Sequence, residues 1–149
     1  MKLCAADNVT NVLFDDERAE CVRLKFVDDQ AVMECSLVED ASTFEELFAF
    51  DGDIVSVRHT LTLVADRNMA EAWLESTFSR ESGRVGLCAL VTLNDGRRLL
   101  VGYSERFGAQ QPLRVKQIAS GSGSKRIDIP RLTMTLESFD TSAAAICRI

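Results

Sequence analysis

The 149-residue sequence has little proline, little glycine and no long hydrophobic run. Its two prolines and eight glycines exclude a collagen-like or proline-rich chain. The apolar stretches, of which 61–65 is typical, are far shorter than the roughly 18–20 residues of a membrane helix. The first ten residues carry one lysine followed by polar residues, so we expect neither a secretory leader nor membrane association.

The sequence also lacks the spacings that indicate catalysis or cofactor binding. It has five cysteines without any CxxC pair and a single imidazole, His59, so no four-ligand zinc site is predicted. It contains neither a G-x-S-x-G elbow nor a phosphate-binding loop. We therefore predict a non-enzymatic protein without catalytic residues, cofactor or metal. The five cysteines are Cys4, Cys21, Cys35, Cys88 and Cys147, and most of them are expected to be buried and reduced.

Two features leave a chemical alternative open. His59 lies on the apolar face of a predicted strand, where a hydrogen-bonded core histidine is commoner than a catalytic one. The enzymatic alternative is a nucleophilic cysteine paired with that histidine. The acidic pairs 15–16, 28–29 and 45–46 have the chemistry to bind a divalent ion, although solvated turns are the favoured interpretation.

A chain of this length supports one hydrophobic core, so we predict a single domain over 1–149.

The charge of the chain is divided unevenly between its two halves. Residues 1–79 hold 6 Lys/Arg and 17 Asp/Glu (net −11), whereas residues 80–149 hold 11 and 6 (net +5). An acidic face and a basic face follow if the halves do not interleave in space. Intramolecular complementarity, head-to-tail self-association and a polyanion-binding patch are the three explanations.

Alternation of apolar and polar residues predicts a series of strands. They span 20–27, 31–38, 54–63, 85–93, 97–103, 113–118 and 131–139. Asp28-Asp29-Gln30 joins the first two closely, which predicts a hairpin. Asn94-Asp95-Gly96 is a strong hairpin turn, because glycine tolerates positive φ. The segment 43–50 fits either a short helical turn or an edge strand, and Asp51-Gly52-Asp53 ends it.

One helix is predicted over about 66–79. Asp66 is a suitable N-cap, and residues 67–78 are rich in helix formers with one apolar stripe. The predicted fold class is therefore α+β: a mostly antiparallel β-sandwich or open barrel with this helix packed on the sheet. Residues 1–19 are compatible with a partly ordered arm. Residues 119–126 form a Gly/Ser-rich segment, for which we expect a flexible hairpin loop.

The basic residues of the second half suggest an interaction surface. The candidate interface residues are Arg97, Arg98, Arg114, Lys116, Lys125 and Arg126. One interpretation is self-association; the alternative is a small monomeric or dimeric binding module that uses a basic face over 97–131 for nucleic acid or another anionic partner. Direct nucleic-acid binding is less favoured, because the whole molecule is acidic and the charges alternate along strands.

Two stretches of the sequence carry a family resemblance. The run from Val91 to Tyr103, with its Asn94-Asp95-Gly96 turn, resembles segments of small structural proteins of prophages. So does the run from Gln111 through the Gly/Ser segment to Leu136. Together with the element order over about 54–149, the chain resembles tail-tube and tail-completion proteins of long-tailed bacteriophages.

This resemblance implies a mechanical role rather than a reaction. Subunits of such families assemble into rings that stack on or cap a tube, so the expected partners are copies of the chain itself or other tail and assembly proteins. The expected location is the cytoplasm of a bacterial host or the virion. Lys125 and Arg126, in the predicted loop, would order on a neighbour's acidic surface.

Overall fold

A computed structural model describes residues 1–37, 41–66, 84–121 and 131–149, and β-strands dominate these ranges. The prediction of a mostly β protein is confirmed. The predicted helix over 66–79 lies outside the described residues apart from Asp66. The strands are β1 (Lys2–Ala5), β2 (Val9–Asp15), β3 (Glu20–Phe26), β4 (Met33–Glu34), β5 (Thr43–Asp51), β6 (Ile54–Asp66), β7 (Leu87–Thr92), β8 (Arg98–Val101), β9 (Arg114–Gly121), β10 (Arg131–Asp140) and β11 (Ala145–Cys147).

The strands form two sheets. The larger sheet has the order β2-β3-β11-β8-β7-β1-β4, and the smaller has the order β5-β6-β10-β9. Neighbours pair antiparallel except β3 and β11, which are parallel. Two 3-10 turns, Ala6–Asn8 and Asp29–Ala31, lie in the connections. Within the described ranges, no helix is long and apolar enough to cross a membrane.

The main core lies between the two sheets. Alternate residues of β6 and β10 in the smaller sheet meet alternate residues of β7 and β8 in the larger one, and fourteen buried residues form this cluster. Each fully buried leucine contributes about 1.5–3 kcal/mol of hydrophobic stabilisation. A second cluster on the opposite face of the larger sheet includes four of the five cysteines. The larger sheet therefore buries parts of both faces.

The predicted hairpin between 20–27 and 31–38 is wrong. The first of these segments forms β3, but the second contains only the two-residue β4, which pairs with β1 at the far edge of the sheet. Asn8 explains the redirection: its side chain donates to the Asp28 carbonyl (2.9 Å) and accepts from the Asp28 backbone N–H (2.8 Å). The Asp28 carboxylate then accepts from Gln30 N–H and caps a 3-10 turn. These local bonds turn the chain away from β3.

The other predicted strands are confirmed. Segment 43–50 is an edge strand, β5, and not a helical turn; it pairs along its length with β6. The hairpin of β7 and β8 turns at 93–97, where Gly96 has a φ of +84°. The two strands flanking the Gly/Ser segment, β9 and β10, pair with one another as expected.

Two segments that the sequence marked as mobile hold strands where they are described. Within 1–19, β1 lies between β7 and β4, and β2 pairs with β3. Residues 119–121 complete β9, while 122–126 lie outside the described residues. Segment 1–19 thus contributes to the larger sheet.

The two halves of the chain interleave in one sheet and remain apart in the other. In the larger sheet, β11, β8 and β7 of the basic half separate β3 from β1 of the acidic half. In the smaller sheet, β5 and β6 lie on one side and β10 and β9 on the other. The condition for separate acidic and basic regions is therefore met only in the smaller sheet.

Candidate assembly interface

The candidate basic residues divide between the two sheets. Arg97 lies in the turn before β8 and Arg98 is the first residue of β8 in the larger sheet, whereas Arg114 and Lys116 lie on β9 in the smaller one. Lys125 and Arg126 lie outside the described residues. The four candidate residues that the structure describes therefore do not form one basic surface on one sheet. The arginines near β8 and the basic residues of β9 are considered separately.

Arg97 is engaged within its own turn. Its guanidinium Nε donates to Asp95 Oδ2 at 2.6 Å, and its backbone N–H donates to Asp95 Oδ1 at 3.0 Å. These bonds lower the pKa of the Asp95 carboxyl. Both side chains are exposed, so solvent screens the pair. Arg97 thus stabilises the tight turn, and its charge is partly neutralised there.

Arg114 and Lys116 give the smaller sheet a basic edge. Both side chains are exposed on β9, which pairs with β10 on one side and is the last strand of the described sheet on the other. A terminal strand presents backbone N–H and C=O groups that a further strand can pair with. Cationic side chains are a usual feature of such edges.

The opposite edge of the same sheet is acidic. The terminal strand β5 carries the carboxylates Glu45, Glu46 and Asp51, and Glu45 points outward as an exposed residue. The pair 45–46 was expected in a solvated turn; it lies within β5, and this interpretation is wrong. Adjacent strands lie about 4.8 Å apart, so the three spacings between the acidic edge and the basic edge add up to roughly 14 Å.

The acidic edge also exposes large apolar side chains. Leu47 is 57% exposed, Phe50 is 73% exposed, and Ile54, next to the turn into β6, is 68% exposed. The pairing of β6 with β10 ends at Val57, whereas β5 pairs with β6 as far as Ile54, so the last part of the β5–β6 hairpin extends past β10. Exposed apolar groups beside a strand edge are a usual mark of an interaction site.

His59 is a buried core histidine, as the favoured interpretation predicted. It is 3% exposed, its Nδ1 lies 3.4 Å from Ser138 Oγ, and its Nε2 lies 3.3 Å from Glu46 Oε1. Glu46 Oε1 also accepts the Ala144 N–H at 2.6 Å. The cluster therefore joins β5, β6 and β10 to the segment before β11. Burial lowers the pKa of His59, and the nearby carboxylates of Glu46 and Asp140 oppose this effect.

This histidine predicts a pH-dependent stability. Because its folded-state pKa lies below the unfolded value near 6.5, the unfolded chain binds the proton first. The stability that His59 confers is then fully present above pH about 6.5 and is lost as the pH falls below it toward the folded pKa. Urea unfolding between pH 8 and 5 should show this loss. His59→Gln should flatten the profile in that window; equal slopes for both proteins would refute the assignment.

The cavity beside His59 does not bring a cysteine to the imidazole. It has a volume of about 270 Å³ and is lined by His59, Ser138, Asp140, Tyr103 and Glu20, among others. The enzymatic alternative required a cysteine next to the histidine. However, Cys35 belongs to the core between the sheets and the other four cysteines to the opposite cluster of the larger sheet. Ser138, the hydroxyl nearest the imidazole, is 2% exposed and holds β10 to β6.

The cysteines are buried thiols, and four of them form register pairs. Cys4 lies opposite Cys88 across β1 and β7, and Cys21 lies opposite Cys147 across β3 and β11. All five cysteines are buried, which confirms the predicted burial, and the structure places none of them in a disulfide. In the described part of the chain, no group of three or more His, Cys, Asp or Glu side chains is placed to hold a metal ion.

Sequence reasoning missed three of these features. It did not find the Ser138–His59–Glu46 cluster, although alternation along β6 had placed His59 inward. It did not find the cysteine pairs, because register between distant strands is not encoded locally. It noted the charge of the two halves without finding the two edges that carry it. No known protein family, curated protein or solved structure matches this chain.

Proposed function

We propose that this chain is a non-enzymatic structural protein that self-associates head to tail through the two edges of its smaller sheet. In the proposed contact, β5 of one copy lies beside β9 of the next. The observation that carries the proposal is the opposite charge of these terminal strands. Glu45 and Asp51 lie on one edge, and Arg114 and Lys116 lie on the other.

The backbone and side chains of the two edges suit such a contact. Both strands are long for edge strands, with nine residues in β5 and eight in β9. The opposite charges on the two strands would set the order and direction of subunits. The exposed Leu47 and Phe50 would lose water contact beside the incoming strand, which supplies a hydrophobic contribution. This combination favours pairing between edges over a diffuse charged contact.

A contact between two different surfaces of the same chain has a defined consequence for assembly. An open assembly keeps one unused edge of each kind, at its two ends. Addition therefore continues until the rotation between subunits closes a ring. If the rotation does not close, the product is an open filament. Rings agree with the resemblance to tail-tube and tail-completion proteins, in which ring formation is the implied function.

The biological setting belongs to the same proposal. We assign the chain to the tail or assembly apparatus of a long-tailed bacteriophage or prophage, with copies of itself or other tail proteins as partners. Its location would be the cytoplasm of a bacterial host or the virion. The α+β architecture, with a helix over about 66–79 packed on the sheet, is also part of this proposal. Support comes from the element order and from the two charged edges.

Charge reversal at either edge should weaken self-association. Glu45→Lys or Lys116→Glu places like charges opposite one another, and we expect the association constant to fall by about tenfold or more. Light scattering after size exclusion, over a range of protein concentration and salt, measures this change. Mixing the two variants should restore association, because the reversed β5 of one then faces the reversed β9 of the other.

Two results would count against the proposal. Lys25→Glu on β3 is the matched control, since it reverses an exposed strand charge in the larger sheet; an equal loss of association there would show only a net-charge effect. A monomer at every concentration, combined with a salt-dependent affinity for DNA, would replace the proposal with the anion-binding module. Salt dependence is diagnostic because phosphate contacts release counterions.

A further inference from the structure

Two buried cysteines lie opposite each other across the parallel strand pair of the larger sheet. Cys21 on β3 and Cys147 on β11 are register partners in the parallel pair, and both belong to the same cluster of buried residues. Register partners on neighbouring strands lie about one strand spacing apart, roughly 4.8 Å. Disulfides span Cα separations of about 4.4–6.8 Å. The backbone therefore holds these residues at bonding distance.

The thiols themselves interact. The interaction between the two neighbouring thiols lowers the pKa of Cys21 and raises that of Cys147. The Cys21 thiol also donates to the Arg23 carbonyl oxygen, with the sulfur and oxygen 3.4 Å apart. The pair thus contains one thiol with increased thiolate character and a second thiol in contact with it. Such a pair combines an attacking thiol with a resolving one.

Arg148 fixes the register next to this pair. Its backbone N–H donates to the Cys21 carbonyl at 3.0 Å, and its guanidinium binds the Glu20 carboxylate through both Nε and Nη2, the latter at 3.0 Å. These contacts hold β11, only three residues long, against β3. Short strands with few backbone bonds open locally at lower free energy than the core. Opening of β11 provides a route for a small reagent to reach sulfurs that are buried in the closed fold.

We propose that Cys21 and Cys147 form a reversible thiol oxidation site, which a low-molecular-weight disulfide converts into an intramolecular cross-strand disulfide. The Cys21 thiolate attacks one sulfur of the reagent, forms a mixed disulfide and releases one reagent thiolate. The Cys147 sulfur, after losing its proton, attacks the Cys21 sulfur and releases the second reagent thiolate. The two protein thiols lose two electrons and two protons, and the reagent disulfide is reduced to two thiols.

The second register pair is a weaker candidate. Burial raises the pKa of Cys4 to about 12 and that of Cys88 well above its usual value, so little thiolate is available to attack. All four strands have a neighbour on each side in the larger sheet, but β1 pairs with β7 over four residues, whereas β3 and β11 share a single register pair. Access to Cys4 or Cys88 therefore requires a wider opening than access to Cys147. The structure selects Cys21 and Cys147 over Cys4 and Cys88.

Thiol counting on the wild-type protein tests this inference directly. The folded protein is incubated with oxidised glutathione, quenched with acid, denatured and alkylated, and the alkylated sites are counted by mass spectrometry. We expect the number of alkylated cysteines to fall from five to three, with a Cys21–Cys147 cross-linked peptide and full reversal by dithiothreitol. Five alkylated cysteines, a Cys4–Cys88 bridge or a bridge between chains would each overturn the inference.

Single substitutions separate a specific site from general unfolding. Cys147→Ser should abolish the intramolecular bridge, whereas the matched Cys4→Ser should retain it. Arg148→Ala should accelerate formation of the bridge several-fold without changing the alkylation rate of Cys4, because only β11 is loosened. A parallel increase at Cys4 would mean that global unfolding exposes all the thiols, and the inference would fail. None of these measurements depends on the proposed assembly function.

Discussion

Replacing Gly102 with alanine should destabilise the protein by about 3 kcal/mol or more. Gly102 follows β8 with a φ of +85°, a conformation that costs other residues about 1–2 kcal/mol. A Cβ atom there would also lie 2.5 Å from the Leu87 carbonyl oxygen and 2.9 Å from the Leu113 amide nitrogen. Those two residues exchange a reciprocal pair of 2.8 Å backbone hydrogen bonds. The methyl group would separate backbone segments that cannot move independently.

Gly96→Ala is a closely matched control. Gly96 has nearly the same φ, +84°, but nothing lies within 4 Å of the position its Cβ would take. Only the conformational cost of about 1–2 kcal/mol remains. Denaturant unfolding of both variants should therefore show that Gly102→Ala loses clearly more stability. Equal losses would show that the close approach at Gly102 relaxes without cost.

Truncation of a central core side chain is expected to have a comparable effect. Leu136 lies on β10 with no exposed surface and packs into the cluster between the two sheets. Leu136→Ala should reduce the free energy of unfolding by about 2–5 kcal/mol, through lost burial and the cavity left behind. Equilibrium urea unfolding at pH 7.5 measures this loss, with an unchanged m-value if the variant still unfolds in one step.

Leu47→Ala provides the comparison for an exposed leucine. Leu47 lies on the edge strand β5 and is 57% exposed, so its truncation should change the monomer's stability by less than about 0.5 kcal/mol. The proposed assembly predicts that the same variant associates more weakly. A loss of monomer stability similar to that of Leu136→Ala would mean that β5 is covered in the monomer, and would contradict its use as a free edge.

The sequence predicted strands well where alternation decides the structure. β6 and β10 each bury alternate residues and were found from that pattern alone, and Gly96 marked the hairpin between β7 and β8. The β3–β4 pairing was predicted wrongly because proximity along the chain suggested it. The deciding contact is the pair of hydrogen bonds between Asn8 and Asp28, twenty residues apart. No local pattern encodes such a contact.

The candidate sites were less predictable for a related reason. Charge counting found an acidic half and a basic half, but strand order decides where those charges appear in space. The order separates them on β5 and β9 and mixes them in the larger sheet. Likewise, the register of β6 against β10 places Ser138 opposite His59, and the register of β3 against β11 places Cys21 opposite Cys147. The sequence shows which residue types are present, but it does not show which residues lie opposite one another across neighbouring strands.

The position of β11 also constrains the kinetics of folding. It lies between β3 and β8, so among the described strands it is β11, about 125 residues further along the chain, that joins the β2–β3 hairpin to the rest of its sheet. Closing so large a loop is slow relative to hairpin formation, because its entropy is lost before its contacts form. During synthesis, a chain that has not yet reached residue 145 would leave the flanks of both β3 and β8 unpaired. The larger sheet would then be completed only when the three residues of β11 have been synthesised and have paired with β3 and β8.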